Sequence, residues 1–315
     1  MAEMPIVKSM AADLGFSEDY IIGLAATADS HYRKVKIGER SIQAPDDELK
    51  LVQKWIADVV RDGYPCHDDG VAAYELGTSI VANASAHASN AHMIVMDIHH
   101  FFRSCAKMMV IGVISNVRLS QLDGLHSYRL NALEIRLLVQ LSCYRDALAV
   151  GSPCSPFIAN RILMPVDREI QGRLPEDSVY TRYSDDITVS SPNWLDRSVI
   201  VSTVDDVLRA HGFELNRKKT HSFGRGDSRR VTGIFISPEG ALSIGAKRKR
   251  QYEKELYNLL VHNEGSPERM LGQLGFCKQV DPDYYVKVMG KYASYGSARK
   301  AGGVLPALFD ALAEG

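Results

Sequence analysis

The chain has 315 residues, 45% hydrophobic and 24% charged, with a net charge of −1; this suits one large globular domain or two smaller ones and excludes a polyanion binder whose whole surface is basic. A basic cleft on one face would still vanish in that sum. Five scattered cysteines with no C-x-x-C pair, no basic-then-apolar leader at the N-terminus, and a longest apolar run of only Met108–Ile114 argue for a reduced, soluble, cytoplasmic protein without a zinc site or membrane span.

Residues 46–62 space Leu49, Val52, Trp55, Ile56, Val59 and Val60 at helical intervals, with aspartates at the start. Residues 93–98, MIVMDI, form a short apolar run expected to be a buried strand carrying Asp97 at or near its end. The leucines of 129–148 predict an amphipathic helix, and the Ser- and Pro-containing start of SPCSPFIANRILMPVDREI predicts another. A hairpin follows with Tyr183–Asp186 at its tip, then a helix over about 200–211. A second hairpin is expected in RRVTGIFIS-PEG-ALSIG, turning at Pro-Glu-Gly. From Lys247 onward the pattern is helical, broken near 265–267 and 281–282. Acidic strands in mid-chain with helices around them make an α+β layout.

The tip of the first hairpin, YSDD, places two carboxylates side by side. Adjacent carboxylates resist ionising together unless a cation compensates them. With Asp97 they make three candidate ligands, a set suited to two Mg2+ ions that would activate a 3′-hydroxyl and stabilise a leaving pyrophosphate.

At this point the chain resembles reverse transcriptases, and among them the bacterial retron enzymes, from about Tyr32 to Tyr295. Tyr183-Ser184-Asp185-Asp186 resembles the Y-x-D-D box and MDIHHFF (96–102) the aspartate box before it. GSPCSPFIAN (151–160) resembles the segment that floors the nucleotide pocket, and GFELNRKKT (212–220) the element after the catalytic hairpin. ERSIQAPDDELKLVQKWI resembles the fingers segment. Asn83-Ala84-Ser85-Ala86-His87 and Val231-Thr232-Gly233 match two elements of the retron branch.

The resemblance implies a right-hand polymerase fold, with fingers at about 20–90 and 106–148, palm at about 91–105 and 149–240, and a helical thumb over 241–315. It implies that Asp97, Asp185 and Asp186 hold two Mg2+ ions, and that Arg40, Phe102, Gly151 and Lys219 meet the incoming dNTP. In these roles Arg40 contacts the triphosphate, Phe102 acts as a steric gate against the 2′-hydroxyl, and Gly151 lets backbone approach the nucleotide. Lys219 donates a proton to pyrophosphate. Asn83, His87, Val231, Thr232, Gly233 and the basic Lys247, Arg248 and Arg250 are expected to contact RNA. A dedicated noncoding RNA serving as template and primer, a branched RNA–DNA product (msDNA), and a separate effector in antiphage defence are further implications. The alternatives are another bacterial reverse transcriptase, group II intron-like or diversity-generating, and a mainly scaffolding protein that binds RNA or restrains a toxin. Departures from the family pattern are Val150, where relatives often have Gln, Ser184 in place of the usual Ala, and His100 at an often acidic position.

Overall fold

The structure, a computed structural model, describes residues 3–38, 40–66, 70–122 and 125–313, without the side chains of Ile37, Arg40 and Leu125. Its elements follow in chain order. The first stretch holds α1 (Pro5–Leu14), α2 (Glu18–Ala26), β1 (Tyr32–Ile37), β2 (Arg40–Pro45), α3 (Asp47–Gly63) and α4 (Ile80–Ala86). Then come β3 (His92–Asp97), α5 (Phe101–Ser104), α6 (Lys107–Asn116), β4 (Arg118–Leu122), β5 (Leu125–Arg129), α7 (Ala132–Ser142), β6 (Cys143–Tyr144) and β7 (Ala147–Leu148). The central stretch has α8 (Ser155–Arg173), β8 (Val179–Tyr183), β9 (Asp186–Ser191), α9 (Arg197–Ala210) and β10 (His221–Phe223). The remainder comprises β11 (Arg229–Val231), β12 (Ile234–Ile236), β13 (Leu242–Ser243), α10 (Ala246–Tyr257), α11 (Pro267–Val280), α12 (Pro282–Tyr292), α13 (Gly296–Ala301) and α14 (Val304–Ala313). The class is α+β, as the sequence predicts. No helix among the described residues is long and apolar enough to cross a membrane.

The chain forms two compact units, one of residues 1–78, 94–189 and 196–221, the other of 79–93, 190–195 and 222–315, and it passes between them within β3, β9 and β10 as well as at 78–79 and 195–196. In the first unit, α3, α6, α7 and α8 pack together through Leu49, Val52, Ile56, Val110, Ile114, Leu138, Leu141, Ile158 and Leu163, all buried. Asp46 caps α3 by accepting from the Leu49 amide, with Asp47 and Glu48 favourable in the first turn. Beside these helices β3, β9 and β8 adjoin in a four-stranded sheet of order β10-β3-β9-β8.

In the second unit α4 packs on an antiparallel sheet of order β11-β12-β13, and α11, α12, α13 and α14 form a helical cluster. Leu256, Leu259, Leu260, Tyr284 and Tyr292 are buried there, so these two tyrosines belong to the core.

Two elements differ from expectation. The helix predicted over 129–148 spans only Ala132–Ser142, capped by reciprocal Asn131–Glu134 bonds. After it the chain turns at Arg145 (φ 57°) and pairs Cys143 with Leu148, so Leu148 is buried by a hairpin although its spacing continues the helical face. The strand read through Arg229–Ser237 is itself a hairpin. Thr232 (φ 45°) and Gly233 (φ 82°) make a two-residue turn with both central residues left-handed, placing Val231 opposite Ile234. The Pro-Glu-Gly turn follows as expected, closed by Ser237 N donating to Ala241 O at 2.9 Å.

Candidate active site

An open cleft of about 680 Å³ in the first unit is lined by Asp97, Asp185 and Asp186 together with Phe102, Lys219, Val150, Tyr183, Ser184 and the 41–42 stretch of β2. Asp97 sits at the end of β3 and is buried. Its neighbour Ile98 donates its amide to the Asp185 carbonyl at 2.9 Å, and the Asn216 amide donates to the Asp97 carbonyl at 2.7 Å. Backbone bonds alone thus lock the Asp97 segment between the Asp185 turn and the 214–216 segment. Among the described residues the turn from β8 to β9 has a left-handed φ only at Ser184 (61°), the pattern of a type II′ hairpin in which glycine is usual.

That strained turn is held from beneath by Arg182, whose side chain has no exposure at all. Its guanidinium forks onto Asp167 of α8, with Nε donating to Oδ1 at 2.8 Å and Nη2 to Oδ2 at 2.7 Å. Nη1 donates to the Ser184 carbonyl at 3.1 Å and to Asn160 Oδ1 at 3.2 Å. Tyr180 completes the cluster by donating its hydroxyl to Asp167. Burial works against the Arg182 charge, but Asp167 overcomes it and keeps the pKa above the usual arginine range. Asn160 and Asp167 stand seven residues apart on one face of α8 and are both buried, as is Arg161 beside them.

Sequence reasoning missed Arg182, Asn160 and Asp167. The available signal was the charged residues on faces that must be buried, because such groups need partners.

Lys219 Nζ donates to Asp97 Oδ2 at 2.7 Å while its side chain stays half exposed. The ammonium therefore supplies positive charge at the carboxylate that the sequence assigns to metal. Three carboxylates on one cleft offer the hard oxygens that suit Mg2+, an ion that keeps places for water and phosphate oxygens. Among the described residues no group of three acidic, histidine or cysteine side chains is clustered closely enough to hold a metal ion. What fits such an ion is the donor chemistry of the three carboxylates that line the cleft.

Phe102 is half-buried at the cleft wall, whereas Phe101 is buried against the core. Arg40 begins β2, but its side chain lies outside the described residues. Gly151 plays a different part from the one expected. A Cβ there would fall 2.3 Å from the Gln43 carbonyl oxygen, so the close approach that requires glycine is to β2, and it is Val150 that faces the cleft.

The retron-type elements lie in the second unit. Asn83 and His87 are both buried, and a buried imidazole has no face to offer RNA. His87 is the C-terminal cap residue of α4, and Ser190 Oγ lies 2.7 Å from its Nδ1 and 2.8 Å from Asn90 Nδ2. Burial lowers the His87 pKa to about 4, so the ring is neutral near pH 7. Val231 is fully buried, and Gly233 gives its carbonyl to Arg248 Nη1 at 2.9 Å. Arg248 is thus committed to the turn, while Lys247 and Arg250 are exposed on α10.

The family described as "Reverse transcriptase (RNA-dependent DNA polymerase)" matches residues 32–236. The chain is 29% identical to the retron Ec86 reverse transcriptase of Escherichia coli, over 82% of this chain and 79% of that one. It is 24% identical to the retron Ec83 reverse transcriptase of Escherichia coli, over 87% and 91%. Identity to the retron Mx162 reverse transcriptase of Myxococcus xanthus is 28%, over 90% and 65%. The chain belongs to the reverse transcriptase family, the RNA-directed DNA polymerases, and its similarity within that family is to the retron enzymes.

Proposed function

We propose that this polymerase copies one dedicated noncoding RNA into DNA, starting from a 2′-hydroxyl of that RNA and leaving a branched RNA–DNA product, msDNA. The observation that carries the catalytic half of this reading is the convergence of Asp97, Asp185, Asp186, Phe102 and Lys219 on one cleft. Similarity to retron enzymes carries the other half.

Asp97, Asp185 and Asp186 would hold two divalent cations, read as Mg2+. When bound, these supply charge stabilisation for the attacking hydroxyl and the leaving pyrophosphate. The chain's own groups do the rest. Phe102 excludes a 2′-hydroxyl from the sugar site, which selects dNTPs. Lys219 releases Asp97 and turns toward the departing pyrophosphate, to which it gives a proton. Arg40 pairs with the triphosphate, where a fork of donors suits phosphate geometry. On the RNA side, exposed Lys247 and Arg250 meet phosphates. Buried Asn83, His87 and Val231, with the Thr232-Gly233 turn, act by shaping the surface that the RNA meets. A separate effector and a role in antiphage defence complete the retron reading.

The test is chemical. RNA that co-purifies with the chain is sequenced, returned to purified protein with dNTPs, and the product examined for a 2′–5′ junction. A branched product made from one RNA and not from unrelated primed templates supports the proposal. Extension of any primer with no 2′–5′ linkage would move the chain to another branch of the family.

A further inference from the structure

Tyr74 lines the catalytic cleft on the segment between α3 and α4, outside the motifs named above. It is 39% exposed, and its backbone is left-handed at φ 65°. A bulky side chain rarely takes that conformation, and it persists where the surroundings over-determine it. Here they do. The Ala72 amide donates to the Arg182 carbonyl at 2.9 Å, and Asn160 Nδ2 donates to the Ala73 carbonyl at 2.8 Å. On the other side Glu75 takes Asn160 Nδ2 at 3.0 Å and an ion pair from buried Arg161, while its carbonyl accepts the Thr78 hydroxyl at 2.7 Å.

Asn160 therefore joins two things at once: through Arg182 the turn that carries Asp185 and Asp186, and through Ala73 and Glu75 the flanks of Tyr74. A buried network of this kind fixes the backbone on both sides of Tyr74 relative to the turn that carries the catalytic carboxylates. The ring meets Tyr183 at 6.2 Å between centroids with a tilt of 41°, an inclined contact that leaves it accessible from the cleft. An aromatic group, rigidly mounted and open beside the reacting centre, is a platform for a flat ring.

We propose that Tyr74 stacks on a nucleobase at the polymerising end of the substrate. The base belongs either to the incoming dNTP or to the terminal pair of the primed template; the stacking chemistry is the same. This inference rests on the polymerase reading of the same cleft.

Single-nucleotide incorporation on a short RNA template with a DNA primer separates the possibilities, using the full chain with Tyr74→Ala, Tyr74→Leu, Tyr74→Phe and Tyr74→Trp. Stacking predicts that Ala and Leu each lose on the order of tenfold, while Phe and Trp keep near-normal behaviour. A rise in KM for dNTP at unchanged primed-template affinity identifies the dNTP base. Weaker primed-template binding at unchanged KM identifies the terminal base. Retained behaviour in Tyr74→Leu would make the ring a packing group, and a loss in Tyr74→Phe equal to that in Tyr74→Ala would make the hydroxyl the active part; either overturns the proposal. Wild-type protein that incorporates nothing would remove the polymerase reading beneath it, an outcome distinct from a silent Tyr74 series.

Discussion

Phe102 stands five residues after Asp97 at the wall of the cleft, where an apolar ring acts by occupying volume. Phe102→Ala should lower the preference for dNTPs over ribonucleotides by roughly tenfold or more, since discrimination by shape in a pocket is worth about 1–3 kcal/mol. Competing incorporation of the two nucleotides measures this, and an unchanged ratio would remove the gate from Phe102. His87 makes a prediction of a different kind. Its folded pKa of about 4 lies below the unfolded value of about 6.5. Between these values the unfolded chain binds the extra proton, so stability falls as pH drops through that window, by about 3 kcal/mol at its lower end. Urea unfolding from pH 7 to 4 should therefore show a steeper acid loss for the wild type than for His87→Gln. Parallel curves would mean that the ring is not held neutral. Such residues also mark how far the sequence was legible. Asp97 and the Asp185-Asp186 pair were readable because charge in an apolar strand and at a hairpin tip demands compensation. The RNA role expected of Asn83 and His87 rests on their likeness to a retron element, and such a likeness does not disclose burial or the core contact of His87 with Ser190.

At the scale of elements, β8 and α8 are joined by the Arg182–Asp167 fork, fully buried on both sides. Arg182→Ala leaves the Asp167 carboxylate without its main partner and should cost about 3–5 kcal/mol of stability. Replacing both by apolar groups, Arg182→Met with Asp167→Leu, should restore much of that stability, since buried ion pairs are often no better than packed side chains. It should not restore incorporation, because the Ser184 carbonyl still lacks its donor and the turn loses its support. Chemical denaturation and single-turnover rates on the same samples separate the two effects; full activity in the double variant would reduce the fork to packing. Helices α3 and α8 were legible from cap residues and apolar spacing. The hairpin of β6 and β7 was not, because Leu148 fits a helical face as well as a strand, and tertiary pairing decided. Nor was the turn at Thr232-Gly233, where a β-branched residue occupies a left-handed position that local propensity disfavours.

For the whole molecule, the net charge of −1 conceals an arrangement in which three carboxylates gather in one cleft while exposed Lys247 and Arg250 project from α10 of the other unit. Catalysis and RNA affinity should therefore respond separately. Neutralising Lys247 and Arg250 together should weaken RNA binding and flatten its salt dependence by up to about two units of slope, at unchanged sequence preference. Binding titrations at several salt concentrations would show it, and an unchanged slope would take α10 out of the interface. Nucleotidyl transfer in the Asp97, Asp185 and Asp186 cleft is what the proposed function requires first. Its most direct measurement is single-nucleotide incorporation by Asp185→Asn beside the wild type, with RNA affinity and unfolding followed on the same preparations. The carboxylate's contribution to charge stabilisation predicts a fall of roughly a thousandfold or more, at about 1.4 kcal/mol per decade, with affinity and fold preserved. Incorporation near the wild-type rate by a folded, RNA-binding Asp185→Asn protein would contradict the account.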